Sequence, residues 1–207
     1  LRITTQLIDS INDVHLWAES YDKELEDIFA IQSEIAQRVA SALEIKILSK
    51  QDKETDNIAA YAEFLRAREI LHESAENKIR EALSLFEGAT QKDPRFARAS
   101  VGIATCYRLL GDNGHIPLIQ AIQNARTSIE VALAINNQLA EAYAELAQVE
   151  GLQDNMRGIA EAARRAVELN PNLADALSSL AGYKLVTGDL EGSIRLRERT
   201  CQLDPLD

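Results

Sequence analysis

A chain of 207 residues, 46% hydrophobic and 27% charged, can bury a sizeable core as one elongated domain or two small ones. Nine Gly, four Pro and 5% aromatics disfavour a many-turned β-sandwich and favour helices. A net charge of −11 argues against a role in nucleic-acid binding, which needs basic surface, and no signal peptide or apolar run near the roughly 20 residues of a membrane span is present.

In chain order, "RITTQLID" (2–9) is β-branched and alternates Ile3, Thr5 and Leu7 on one face, "SIND" (10–13) reads as a turn, and "HLWAESYD" (15–22) as a second strand. Helical periodicity then takes over, with Ile28, Ile31, Ile35, Val39 and Leu43 forming one apolar stripe and Asp27 near its start. This predicts a linker helix over 27–48, and "DKETDN" (52–57) a polar hinge after it. The chain opens on Leu1, inside a predicted strand, so it is expected to be a piece of something larger. A lone two-stranded hairpin is marginally stable, and Ile3, Leu7, Leu16 and Trp17 need cover. Residues 1–22 are therefore expected to form a homodimer contact or to be partly disordered.

Beyond residue 57 the chain repeats itself. Pro171 and Pro205 stand 34 apart, Asn137 takes the Pro position another 34 back, and Pro94 precedes it by 43, the period plus nine extra residues. Small residues recur in the same frame: Ala104, Ala147 and Ala181; Ala89, Ala132, Ala166 and Thr200; Ala82 and Ala125, then Ile159 and Ser193. Small side chains at fixed places let helix axes approach closely. Phe64, Ile103, Leu146 and Leu180 mark the buried stripe of the first helix of each unit. Gly111 in "LLGD" and Gly188 in "VTGD" are expected to end that helix in the left-handed conformation, with Asp112 and Asp189 capping the next. In "LQDN" Asp154 takes the Gly position and Asn155 the cap. The unit is a helix–turn–helix that cannot bury its apolar face alone, so stacking makes a continuous core.

The 34-residue period, the Gly-Asp turns, the alanine series and the terminal "LNP" and "LDP" resemble tetratricopeptide repeats. Four units follow, 57–94, 97–137, 140–171 and 174–205, the first with an expanded turn "HESAENK" (72–78) and the second with its excess around "DNGHIPLIQ" (112–120), where Pro117 suits the first turn of a long helix. The words "RITTQLID", "HLWAESYD" and "LEDIFAIQSEIAQRVASAL" are similar to the end of the TolB-like domain that precedes such arrays in bacterial regulators. In that family the upstream part is often a class III adenylate cyclase or a winged-helix DNA-binding domain, and neither lies in this chain. The expectation is an all-α fold, a right-handed tetratricopeptide superhelix behind a short β-hairpin and linker helix. Residues 1–56 would be the TolB-like remnant and 57–207 the repeat domain.

No HExxH, GxSxG, P-loop or GxGxxG occurs, and His15, His72 and His115 are scattered, so no enzyme, metal or cofactor is expected. Cys106 and Cys201 lie far apart in helical patterns and read as two small buried helix residues. Carboxylate pairs such as Glu24/Glu26 and Glu161/Glu168 read as solvated face, and the five tyrosines as packing. Trp17 reads as buried under the following helix or as an exposed binding aromatic.

The resemblance implies that the first helices (A helices) line a concave groove. Groove positions would be Ala59, Ala62 and Arg66, then Arg98, Val101, Thr105 and Arg108, then Glu141, Ala144 and Gln148, then Asp175, Ser178 and Gly182. The first half is basic and the second acidic or small. The carboxylate clamp of chaperone-binding members needs Lys and Asn where Ala62, Arg66, Val101 and Thr105 stand, so that clamp is absent. The arginines suit an acidic or carboxylate-ended segment, or else intramolecular ion pairs. Recognition of a protein or peptide within a larger bacterial signalling protein, on the cytoplasmic side or beyond a membrane anchor, is the expected function; a structural spacer or self-association module is the alternative.

Overall fold

The computed structural model describes residues 2–9, 14–22, 55–72 and 75–203. The chain divides into two units, Leu1–Lys53 and Glu54–Asp207. In the first unit, β1 (Arg2–Asp9) pairs antiparallel with β2 (Val14–Asp22) as a two-stranded sheet. The register runs from Arg2 opposite Asp22 to Leu7 opposite Trp17, then shifts so that Ile8 faces His15. Leu16 is the extra residue of a β-bulge, which raises the local twist. The second strand starts at Val14, one residue before its expected start. The predicted turn at 10–13, the linker helix at 27–48 with its stripe Ile28, Ile31, Ile35, Val39 and Leu43, and most of the hinge lie outside the described residues.

The second unit holds eight helices among the described residues. They are α1 (Ile58–Leu71), α2 (Glu76–Lys92), α3 (Ala97–Asp112) and α4 (Leu118–Ile135), followed by α5 (Ala140–Gly151), α6 (Met156–Leu169), α7 (Ala174–Val186) and α8 (Leu190–Leu203). Each odd-numbered helix packs against the even one after it, which gives four antiparallel pairs. None of the described helices is long and apolar enough to cross a membrane.

The repeated break between pairs has one mechanism. Asp93, Asn136 and Asn170 end α2, α4 and α6, and each side-chain oxygen accepts the N–H two residues on, from Arg95, Gln138 and Asn172 at 3.0–3.1 Å. This turn works equally well with Pro94, Asn137 or Pro171 in the middle, because the middle N–H is not used. The turn inside each pair ends with a 6→1 bond: His115 N–H to Leu110 O at 2.8 Å, Asn155 N–H to Glu150 O at 3.1 Å and Asp189 N–H to Lys184 O at 2.8 Å. The residue before each of these donors has positive φ: Gly114 (73°), Asp154 (52°) and Gly188 (86°). Asn155 and Asp189 accept N–H groups of the next helix, from Gly158 at 3.2 Å and Gly192 at 2.9 Å.

The expectation for "LLGD" is corrected. Gly111 lies inside α3 and Asp112 is its last residue, so neither ends nor caps a helix as proposed. The nine extra residues let α3 run on, the turn forms at Gly114, and Pro117 stands at the N-cap of α4 without a side-chain cap bond. Gly111 instead serves contact: a Cβ there would lie 2.3 Å from Cβ of Ala121 on α4.

The recurring small residues are the packing positions. Ala82, Ala89, Ala104, Ala125, Ala132, Ala147, Ala166, Ala181 and Ser193 are all buried. The first two pairs share a core of Phe64, Ile79, Phe86, Phe96, Cys106 and Leu110. Phe64 stacks obliquely on Phe86 and Phe96, with centroids at 5.7 and 4.9 Å. Full burial of each such ring contributes roughly 1.5–3 kcal/mol. Gly102 allows the closest approach in this core, since a Cβ there would meet Phe86 Cε1 at 2.5 Å.

Candidate functional site

Successive A helices, α1, α3, α5 and α7, pack side by side, whereas each B helix packs mainly on the A helices before and after it. The A helices therefore make one continuous face. Helical spacing of three, four and seven residues places the predicted groove positions along it.

The structure brings most of them together, though with one another. Arg98 on α3 pairs with Glu141 on α5 at 2.8 Å. Arg108 Nε donates to Glu145 Oε1 at 2.6 Å, and the Thr105 hydroxyl lies 2.9 Å from Glu145 Oε2. The Gln148 side-chain amide donates to Ser179 Oγ on α7 at 3.1 Å. A third tie links the same two units away from this row: Arg126 on α4 donates to Glu150 Oε1 at 2.6 Å and to Gln153 Oε1 at 2.9 Å. Asn155 donates to the other oxygen of the buried Glu150 at 2.6 Å, which fixes the α5–α6 turn.

The basic first half and acidic second half of the expected groove are thus complementary to each other. All three arginines come from the second unit, and all three glutamates from α5 of the third. Val101 is corrected: it is 8% exposed and packs with Ala97, Ala132, Leu139 and Ala142, so it is a core residue between pairs. Ala144 is likewise buried, with Ala166 and Ala176. Arg66 is exposed and lies 3.6 Å from Glu81 of α2. Ala59, Ala62, Asp175 and Ser178 are exposed on α1 and α7, and nothing lies within 4 Å of where a Cβ on Gly182 would stand.

Glu145 and Ser179 are the two residues of this row that the sequence reasoning passed over. Ser179 is one position beyond the expected Ser178. Glu145 could have been found from its four-residue spacing to Glu141, which repeats the acidic side chain on the face that meets Arg98, Thr105 and Arg108. Beneath the row, burial together with Glu145 and Glu87 pushes the Cys106 thiol up to about 12. Cys201 is exposed rather than buried as expected.

Other candidates are ordinary surface. Glu161 and Glu168 pair with Arg157 at 2.7 Å and Arg165 at 3.1 Å on the exposed side of α6. His115 Nδ1 lies 3.3 Å from Glu76, and His72 is an exposed helix end. Tyr143 donates to the Asn137 carbonyl, and Tyr61 packs on the aromatic core, in keeping with a packing role. No group of three or more His, Cys, Asp or Glu could hold a metal ion among the described residues.

No family model matches the chain. It is 31% identical over 140 residues to "Putative adenylate cyclase 3" of Rhizobium meliloti (strain 1021), a match covering 63% of this chain. The match spans about a quarter, 24%, of that relative's length. Among solved structures it is similar to TTC0263, a thermophilic tetratricopeptide-repeat protein of Thermus thermophilus, with a TM-score of 0.62 at 17% identity over 86% of this chain and 90% of that one. The first tetratricopeptide domain of human RPAP3 matches at a TM-score of 0.51 and 17% identity, over 65% of this chain and 97% of that one. The first tetratricopeptide domain of Spaghetti (RPAP3), solved bound to the HSP90 peptide SRMEEVD, matches at 0.50 and 16% identity, over 65% and 98%. With four helix pairs in one repeated frame and these likenesses, the helical part of the chain has the tetratricopeptide-type α-α solenoid fold.

Proposed function

We propose that the A-helix face binds an extended segment of a partner protein, and that the chain serves as a recognition scaffold, with no catalytic step of its own, in a larger bacterial signalling protein. The observation that carries this is the pairing of a rigid middle with open ends. Arg98, Thr105, Arg108, Glu141 and Glu145 tie α3 to α5, while Ala59, Ala62 and Ser178 leave small, exposed side chains on α1 and α7 and Gly182 leaves room for a Cβ. Such a face offers room for a backbone and a fixed frame to hold it. The peptide-bound Spaghetti domain, which shares this fold, supports the same use. An acidic stretch of the segment would be read by Arg66 and by Arg98, whose pairs leave them part-exposed.

The test is a peptide-array screen with the chain, followed by affinities for Ala62→Trp and Gly182→Trp, with Arg157→Glu on exposed α6 as control. Filling the A-helix face should abolish binding and the control should retain it; equal effects, or no binder at all, would overturn the reading. One observation favours the alternative, a spacer whose groove takes nothing: the charges of the middle units already satisfy one another. The parent architecture belongs to this proposal too. Residues 1–56 would be the end of a TolB-like domain in a protein carrying an adenylate cyclase, in the cytoplasm or on the periplasmic side of a membrane anchor, a reading supported by the partial likeness to the Rhizobium protein. A homodimer through residues 1–22 is the matching proposal for the hairpin, which among the described residues forms a sheet of two strands. Sedimentation of the full chain against a version starting near residue 52 tests it: both monomeric would end it.

A further inference from the structure

The Glu145 carboxylate joins α5 to α3. Its two oxygens face separate groups, Arg108 Nε at 2.6 Å and the Thr105 hydroxyl at 2.9 Å, which also lies 3.1 Å from the Val101 carbonyl. Both groups project from one face of α3, three residues apart, while Glu145 comes from the neighbouring A helix. A guanidinium and a hydroxyl converging on one carboxylate make a charge-assisted site of the kind that recognises acidic side chains and chain ends. The site is largely desolvated, with the Arg108 side chain 17% exposed and Glu145 9%. The Arg98–Glu141 pair on the same row is more open, at 25% and 31%.

We propose that Glu145 is the specificity-determining residue of the A-helix face: it fills in cis the carboxylate site formed by Arg108 and Thr105, so the middle of the face refuses acidic side chains and C-terminal carboxylates. This rests on reading that face as a binding surface. An incoming carboxylate gains nothing at Arg108 unless it displaces Glu145, and displacement leaves Glu145 charged and without donors in a dry position. At the more exposed Arg98 the exchange is easier, because Glu141 can return to water. The face is therefore graded: acidic residues are accepted at Arg66 and at the more exposed Arg98 and are rejected at Arg108. A partner segment bearing a negative charge in its middle, or ending there, is excluded, and an uncharged middle is selected.

Acetate tests this without any partner. In the full chain, the Arg108 Nε–H resonance is followed during titration with sodium acetate, against sodium chloride at equal ionic strength. The wild type should show no saturable change. Glu145→Ala, which empties the site and keeps Arg108, should show a saturable shift and a rise in melting temperature specific to acetate. The acetate-specific rise in melting temperature should vanish in Glu145→Ala/Arg108→Gln. Should Glu145→Ala fail to fold, Glu145→Gln retains the side-chain volume and removes the charge, and it should bind an Asp-rich hexapeptide at least tenfold tighter than the wild type does. Saturable acetate binding at Arg108 in the wild type, or no acetate effect in a folded Glu145→Ala and no hexapeptide gain in Glu145→Gln, would overturn the proposal. A positive acetate result with no peptide binder on the array would remove the binding function and leave the cis-occupied site standing. Array binders lost in Ala62→Trp with a negative acetate result would do the reverse.

Discussion

Gly111→Ala separates two reasons for which a glycine can stand near the end of a helix. The residue lies inside α3, so alanine gains about 1 kcal/mol of helix propensity if nothing else changes. Against this, the new Cβ would lie 2.3 Å from Ala121 Cβ, where carbons normally sit about 3.5–4.0 Å apart. Both atoms are fixed to helix backbones, so no rotamer change relieves the overlap, and α3 must move from α4 by more than about 1 Å. Overpacking of a filled core costs about 1–3 kcal/mol, and this rigid contact belongs at the upper end. The net expectation is a loss of about 2 kcal/mol, a fall in melting temperature of roughly 4–8 °C for a unit of this size. Urea and thermal denaturation followed by circular dichroism at 222 nm would measure it. Ala121→Gly removes the opposing methyl, so the double variant should be more stable than the summed single effects by over about 1 kcal/mol. A Gly111→Ala variant as stable as the wild type would refute the contact. A loss that Ala121→Gly does not relieve would place the strain in the backbone of the turn.

Three further outcomes are expected. Asp154 holds φ of 52° at the position where Gly114 and Gly188 stand, so Asp154→Gly should stabilise the array by about 0.5–1 kcal/mol, read by urea denaturation. Native protein at pH 8 should give one fast thiol with a disulfide reagent, Cys201, and the second only on unfolding, because the buried Cys106 thiol is pushed up to about 12; two fast thiols would contradict that burial. The Lys184 ammonium and the Gly192 N–H hold the Asp189 carboxyl below the usual carboxylate range. A depressed folded-state value gives stability that is full above about pH 4 and is lost as pH falls through the folded value. Asp189→Asn should therefore be less stable than the wild type at pH 7, with the gap narrowing as pH falls below about 4.

Much of the fold was legible because it is written in a period. The alanines at 34- and 43-residue spacing are the buried contacts, and Asp154 and Asn155 take the turn and cap positions that their alignment with Gly188 and Asp189 implied. The failure at Gly111 has a physical cause. Alignment fixes which residues correspond, but the nine extra residues at 112–120 decide how far α3 runs before it turns, and the signal for the true turn, Gly114, sits inside that insertion. Val101 failed for a related reason: the family resemblance implied a groove position for it, but it packs with Leu139, in the break before α5, and with Ala132 and Ala142.

The charge pattern shows what a sequence withholds about a site. Arg98, Thr105 and Arg108 were legible as a basic row, and Glu141 as part of an acidic one. Whether such rows face a ligand or each other depends on the distance between helices 43 residues apart in the chain, which local periodicity does not encode. The small residues set that distance. Ala97 and Val101 of α3 pack with Ala142 of α5, and Ala104 packs with Val149, and across that contact Arg108 reaches Glu145 at 2.6 Å and Arg98 reaches Glu141 at 2.8 Å. The same packing that builds the solenoid thus brings these charges together, since a looser stack would leave the guanidinium groups to solvent.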